Sequence, residues 1–176
     1  TNLLARLAPG PAHPAGFSVR QVWSHAIDAW GTPSADGRYL SFVDWTTGDL
    51  AVRDLTTGQN RRLTNKGPWE TRDAEAEGNV LSPDGRQVAF GWNQYKANKY
   101  ELRVINTDGT GERVLYQSLY VEPHAWTPDG RSIIANISPQ RQQSRIALIS
   151  VADGTARILK PLDSRWPGRM SVSPDG

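Results

Sequence analysis

The chain has no cysteine and one methionine among its 176 residues. Without cysteine there is no disulfide framework, no thiolate nucleophile and no Cys-based zinc site, and redox chemistry gives no signal of compartment. No apolar run approaches the ~18–20 residues of a membrane-spanning helix, so membrane insertion is not expected. The start, Thr1 to Gly16, lacks the basic-then-apolar pattern of a secretory signal. An excess of one charge is missing as well. Twenty basic and eighteen acidic residues are interspersed to a net charge of +2, too balanced for the basic footprint of a nucleic-acid binder.

Catalytic motifs are equally absent. There is no Gly-x-Ser-x-Gly elbow, no His-Glu-x-x-His, no phosphate-binding Gly-x-x-x-x-Gly-Lys and no calcium loop. His13, His25 and His124 lie far apart and fit no metal-ligand spacing. His25 and His124 occupy comparable points just before an inner strand. No catalytic residue, metal or cofactor is expected. The acidic stretch Glu70, Asp73, Glu75 and Glu77 reads as a solvated loop.

What the sequence does contain is a repeat. Ser34-Ala35-Asp36-Gly37-Arg38 recurs as Ser82-Pro83-Asp84-Gly85-Arg86, as Thr127-Pro128-Asp129-Gly130-Arg131, and as Ser173-Pro174-Asp175-Gly176, at spacings of 48, 45 and 46 residues. Each complete copy feeds an alternating segment carrying Leu40/Phe42, Val88/Phe90 or Ile133/Ala135, the pattern of a half-buried strand. Further strands follow at 50–54, 102–106 and 146–150. They run into Thr57-Gly58, Asp108-Gly109 or Asp153-Gly154, and then into short segments ending in Leu63, Leu115 and Leu159, 52 and 44 residues apart. The units are constant and the connections vary in length, as surface loops do.

The Asp-Gly pairs have a physical reason. A tight turn between antiparallel strands needs positive φ, which glycine adopts without steric cost, and aspartate hydrogen-bonds the backbone two residues on. Asp36, Gly37, Asp84, Gly85, Asp129, Gly130, Asp175 and Gly176 are therefore read as structural turn residues. Counting the strand before each turn, one unit holds four short strands in about 40–50 residues, the composition of a β-propeller blade.

Ser82-Pro83-Asp84-Gly85-Arg86-Gln87-Val88-Ala89-Phe90 resembles the TolB-type, WD-like β-propeller repeat, in which a Ser-Pro-Asp-Gly-basic turn precedes an apolar strand, and Arg61-Arg62-Leu63-Thr64 resembles its close. The resemblance spans 19–176, with Ala35 replacing proline in the first copy. It implies an all-β fold of four-stranded antiparallel blades in an incomplete ring. It also implies a bacterial, periplasmic or extracytoplasmic setting. The expected organisation is a flexible lead at 1–16 followed by a partial propeller over 17–176. The propeller would comprise an outer strand at 19–23, blades at about 28–64, 77–116 and 122–160, and the start of another at 168–176. Three whole blades fall short of the about four to eight that close a ring. Further blades beyond Gly176, or self-association through open strand edges, are expected to supply the rest.

Blade order sorts the connections onto two faces. The Asp-Gly turns share one. The other collects the inter-blade links (65–78, 117–121, 161–167) and the inner-hairpin loops (45–48, 93–99, 138–144). That loop face carries the candidate binding residues Trp69, Arg72, Tyr95, Arg141, Arg165 and Trp166, because aromatic and arginine side chains dominate interface hot spots. Trp23, Trp30, Trp92 and Trp126, in or beside strands, are read as packing between blades. The functional expectation is a non-enzymatic binding module whose open face or channel holds a protein or peptide, with a small molecule as a further possibility and no nucleic acid. The resemblance gives two alternatives: a substrate-gating propeller domain of a serine peptidase, or a ligand-sensing domain of a larger regulatory or membrane protein.

Overall fold

The turn motif and the strands around it dictate the architecture seen in the computed structural model, which describes residues 21, 23, 31–67, 70, 73–163 and 167–175. The described residues form eleven strands and no α-helix. The first sheet contains β1 (Tyr39–Asp44), β2 (Asp49–Asp54) and β3 (Asn60–Arg62). The second contains β4 (Ala74–Leu81), β5 (Gln87–Gln94), β6 (Lys99–Asn106) and β7 (Arg113–Ser118). The third contains β8 (Tyr120–Trp126), β9 (Ser132–Ser138), β10 (Ser144–Ser150) and β11 (Ala156–Leu162).

Each sheet is an antiparallel meander in sequence order, so each is one blade. In the first blade the described part of the inner position pairs through a bridge between Pro33 and Leu40. Beside it the Ser41 N–H donates to the Thr32 carbonyl, and Pro33 itself brings no N–H to the ladder. The molecule is thus an all-β arc of propeller blades with an unclosed ring.

Blade stacking follows the two-residue period. Val43, Leu50 and Val52 of the first blade meet Ala76, Leu81, Val88, Phe90 and Ile105 of the second. On its other side the second blade sends Val80, Ala89, Leu102 and Val104 against Val121, Trp126, Ile133, Ala135 and Ile149 of the third. Both faces of a middle blade are therefore apolar, which explains why β5 is buried at Val88, Ala89 and Phe90 in succession. Trp23 covers the far side of the first blade, edge-on to Phe42 at 4.5 Å between ring centroids and under the Arg53 guanidinium.

The corresponding positions of the third blade are more open. Ile134, Leu148 and Leu159 match Ala89, Val104 and Leu115 in the repeat, yet Ile134 and Leu148 are only half-buried and Leu159 is exposed. Val172 and Pro174 lie against this face, beside Ile134 and Leu148.

Three sequence readings of strand limits are corrected. β4 begins at Ala74, so the supposed link at 65–78 donates half of an inner strand. The link at 117–121 is a single residue, Leu119, between β7 and β8. β7 and β11 continue past Leu115 and Leu159, which sit at β-bulges rather than at strand ends.

Candidate binding face and axial cavity

The Asp-Gly turns are built alike in all three complete copies. The Ser34, Ser82 and Thr127 hydroxyls donate to Asp36, Asp84 and Asp129 at 2.5, 2.6 and 2.6 Å. The same carboxylates accept the N–H groups of Arg38, Arg86 and Arg131 at 3.0 Å. Those hydroxyls in turn accept the N–H of Tyr39, Gln87 and Ser132, and Gly37, Gly85 and Gly130 take φ of 70, 69 and 68°. The hydroxyl contact, then the backbone N–H, holds each aspartate below the ordinary carboxylate value. Asp175 is lowered in the same way by Ser173. Both bonds fall on Oδ1 of each aspartate, so one oxygen of every carboxylate closes its own turn.

On the opposite face, Tyr95 opens the loop between β5 and β6 and Arg141 lies in the loop between β9 and β10, both exposed. These two predicted residues therefore sit on adjacent blades of one face. Trp69, Arg72, Arg165, Trp166 and Gly176 fall outside the described residues, as do Trp30 and His25. Trp92 and Trp126 are buried between blades.

Below Tyr95 lies a cluster that sequence reading treated as solvent. Glu75 and Glu77 belong to β4. Glu75 is buried and accepts a hydrogen bond from the Tyr95 hydroxyl. Glu77 accepts from Asn93 Nδ2 at 2.9 Å and from the Tyr100 hydroxyl at 3.4 Å. Across the seam, the Tyr120 hydroxyl donates to Glu122 at 2.8 Å, and the Tyr100 and Tyr120 rings meet at 4.8 Å. Burial, reinforced by the charges of Glu75 and Glu122, pushes the Glu77 carboxyl up. Burial, reinforced by Glu77 and Glu122 respectively, pushes the Tyr100 and Tyr120 hydroxyls up. The alternating Ala-Glu-Ala-Glu reads as an outward-facing polar set only if one face of the strand meets water. In an inner strand both faces meet other blades.

His124 also differs from expectation. It lies within β8 rather than before it, its side chain is 5% exposed, and Nε2 is 3.8 Å from Glu122 Oε2. Burial lowers its pKa, with Glu122 opposing. His124 faces a cavity of about 400 Å³ between the inner strands, lined also by Thr32, Asn79, Glu122, Arg169 and Ser171. Among the described residues no group of three or more His, Cys, Asp or Glu side chains is placed to hold a metal.

An arc of antiparallel three- and four-stranded blades defines a partial β-propeller. No family model matches the chain. Among solved structures it is similar to the TolB-like protein of Agrobacterium tumefaciens, with 22% identity and a TM-score of 0.65, covering 80% of this chain and 49% of that one. It is also similar to TolB from Acinetobacter baumannii, with 22% identity and a TM-score of 0.58, covering 78% and 34%. A third likeness is to the β-propeller domain of the trilobed protease from Pyrococcus furiosus, which has an open velcro topology. There the identity is 13% and the TM-score 0.52, covering 75% and 42%. The chain spans about half the length of the first of these and a third of the second.

Proposed function

We propose that the chain is a non-enzymatic binding module, a protein–protein interaction scaffold that engages its partner on the loop face. One observation carries the reading: the loop face sets an exposed aromatic side chain and an exposed arginine on adjacent blades. On the turn face the Ser82 hydroxyl and one oxygen of Asp84 are held within the turn. The loop face presents Tyr95 at 40% exposure and an exposed Arg141 on neighbouring blades. Tyrosine and arginine are enriched among residues that dominate interface energetics. Trp69, Arg72, Arg165 and Trp166 belong to links of the same face in the repeat and are proposed as further contacts.

Trp69→Ala and Trp166→Ala should weaken capture of a protein partner, with the melting temperature close to wild type. A large loss of stability would make them core residues and remove them from the interface. A second reading, a propeller domain that gates substrate access to a peptidase, is favoured by the likeness to the trilobed protease propeller. In that case the loop face should bind a hydrolase domain rather than an independent protein.

A further inference from the structure

The outer strands carry an arginine that recurs with the repeat. Arg61, Arg113 and Arg157 each stand two residues before the leucine of their strand, Leu63, Leu115 or Leu159. The first two reach across a seam to the next blade. Arg61 Nη1 donates to the Thr107 carbonyl at 3.1 Å, and Arg113 Nη2 donates to the Val151 carbonyl at 2.7 Å. The two acceptors are equivalent. Each directly follows the third strand of its blade, and each donates its own N–H to the residue after the turn glycine, Arg86 or Arg131. One guanidinium thus ties each outer strand to a fixed backbone carbonyl of its neighbour.

Arg157 occupies the third such position, exposed and, among the described residues, without a hydrogen-bond or ion-pair partner. With Ile134, Leu148 and Leu159 it borders a groove of about 470 Å³ on the open side of the third blade. At the preceding seam the matching Ala89 and Val104 are fully buried. The strand irregularity matches too, since Leu115 and Leu159 are each the extra residue of a bulge. The turn of the third blade covers the Leu115 carbonyl so closely that a Cβ on Gly154 would fall 1.9 Å from it. Leu159 has the same bulge but is 43% exposed. Val172 and Pro174, at the fourth copy of the turn motif, line the groove.

We propose that Arg157 is the third copy of this latch, and that the open side of the third blade docks a further blade of the same repeat, on the same chain and in register with Ser173–Gly176. The chemistry required of that blade follows from the seam already formed. It sets small or aliphatic side chains against Ile134 and Leu148, as Ile133, Ala135 and Ile149 do at the preceding seam. Its turn offers a backbone carbonyl to Arg157 and, three residues on, a glycine over the Leu159 carbonyl, as Val151 and Gly154 do for Arg113 and Leu115. A guanidinium has donors and no acceptor, so a carbonyl must stand there. The surface lies on the flank of the arc, apart from the loop face, and does not depend on a partner there.

The test compares the natural chain with one extended after Gly176 by a second copy of its own residues 131–162, which follow the matching Gly130 in the third blade. Docking should shift the methyl NMR signals of Ile134 and Leu148. Arg157→Ala, made only at its original position, should lower the melting temperature of the extended chain by about 2–4 °C, the effect of one modest hydrogen bond in a domain of this size. It should leave the natural chain unchanged. Arg113→Ala, at a seam present in both, should lower both. Unmoved Ile134 and Leu148 signals on extension, or an equal loss from Arg157→Ala in the two chains, would overturn the proposal. So would self-association of the natural chain that Arg157→Ala abolishes, since a second copy would then be the occupant.

Discussion

The Trp126 indole N–H donates to the Val80 carbonyl at 3.0 Å, joining the inner strands of two blades 46 residues apart in sequence. The ring is 7% exposed and packs in the same cluster as Val80, Ala89 and Val104. One side chain thus fills the seam between blades and satisfies a backbone group of its neighbour. Trp126→Phe keeps most of the packing and loses the hydrogen bond, so it should cost about 1 kcal/mol. Trp126→Ala empties the seam and should cost about 3–5 kcal/mol. Urea denaturation of both variants measures the difference; equal losses would mean that the hydrogen bond dominates.

Two turn glycines separate backbone strain from steric contact. Gly85 has φ of 69° and its added Cβ would meet Ser34 Cβ at 3.5 Å, an ordinary contact. Gly85→Ala should therefore cost only the left-handed conformation, about 1–2 kcal/mol. Gly154 has φ of 74°, and its Cβ would fall 1.9 Å from the Leu115 carbonyl oxygen of the adjacent blade. Gly154→Ala should destabilise by clearly more, and comparison of the two melting temperatures checks the order.

The turn aspartates set an acid limit. Asp84 is held below its ordinary value of 3.8 by the Ser82 hydroxyl first and the Arg86 N–H second. A carboxyl lowered on folding contributes stability that is present above its unfolded pKa and is lost as pH falls through the folded value. Stability should therefore fall as pH drops below about 3.8, with Asp36, Asp84 and Asp129 titrating together. Ser82→Ala should bring the Asp84 carboxyl resonance back toward an ordinary titration midpoint. It should also cost about 1–3 kcal/mol at neutral pH, since the Gln87 N–H loses its hydroxyl acceptor.

Glu77 has the opposite sign. Burial raises its pKa, so the folded protein holds this proton more tightly than the unfolded chain. Stability relative to an uncharged residue is then lost as pH rises from the ordinary value of 4.5 through the folded value. Glu77→Gln keeps an acceptor for Asn93 and Tyr100 and should be more stable than wild type at neutral pH. The advantage should disappear below about pH 4.5. An advantage independent of pH would assign the effect to packing.

The blades were legible because their signals are local. Asp84-Gly85 needs only its own turn to explain it, and Val88 and Phe90 show their burial by alternation along one strand. The inner strands were harder, because what surrounds them comes from neighbouring repeats. Glu75 and Glu77 look solvated until Tyr95, Tyr100 and the Glu122 strand are brought against them. His124 and Asn79 share a repeat position, a signal that was present in the sequence. The cavity they line exists only once four segments of chain, at 32, 78–80, 122–126 and 169–172, converge on one axis.

The most direct test of the binding reading places a photo-crosslinking amino acid at single positions on the two faces of the arc. Tyr95 and Arg141 report on the loop face, and Arg86 and Arg131, both exposed, on the turn face. A partner-binding loop face predicts protein adducts in a native extract from the first two positions and none from the second two. Adducts from the turn face alone, or equally from both faces, would contradict it.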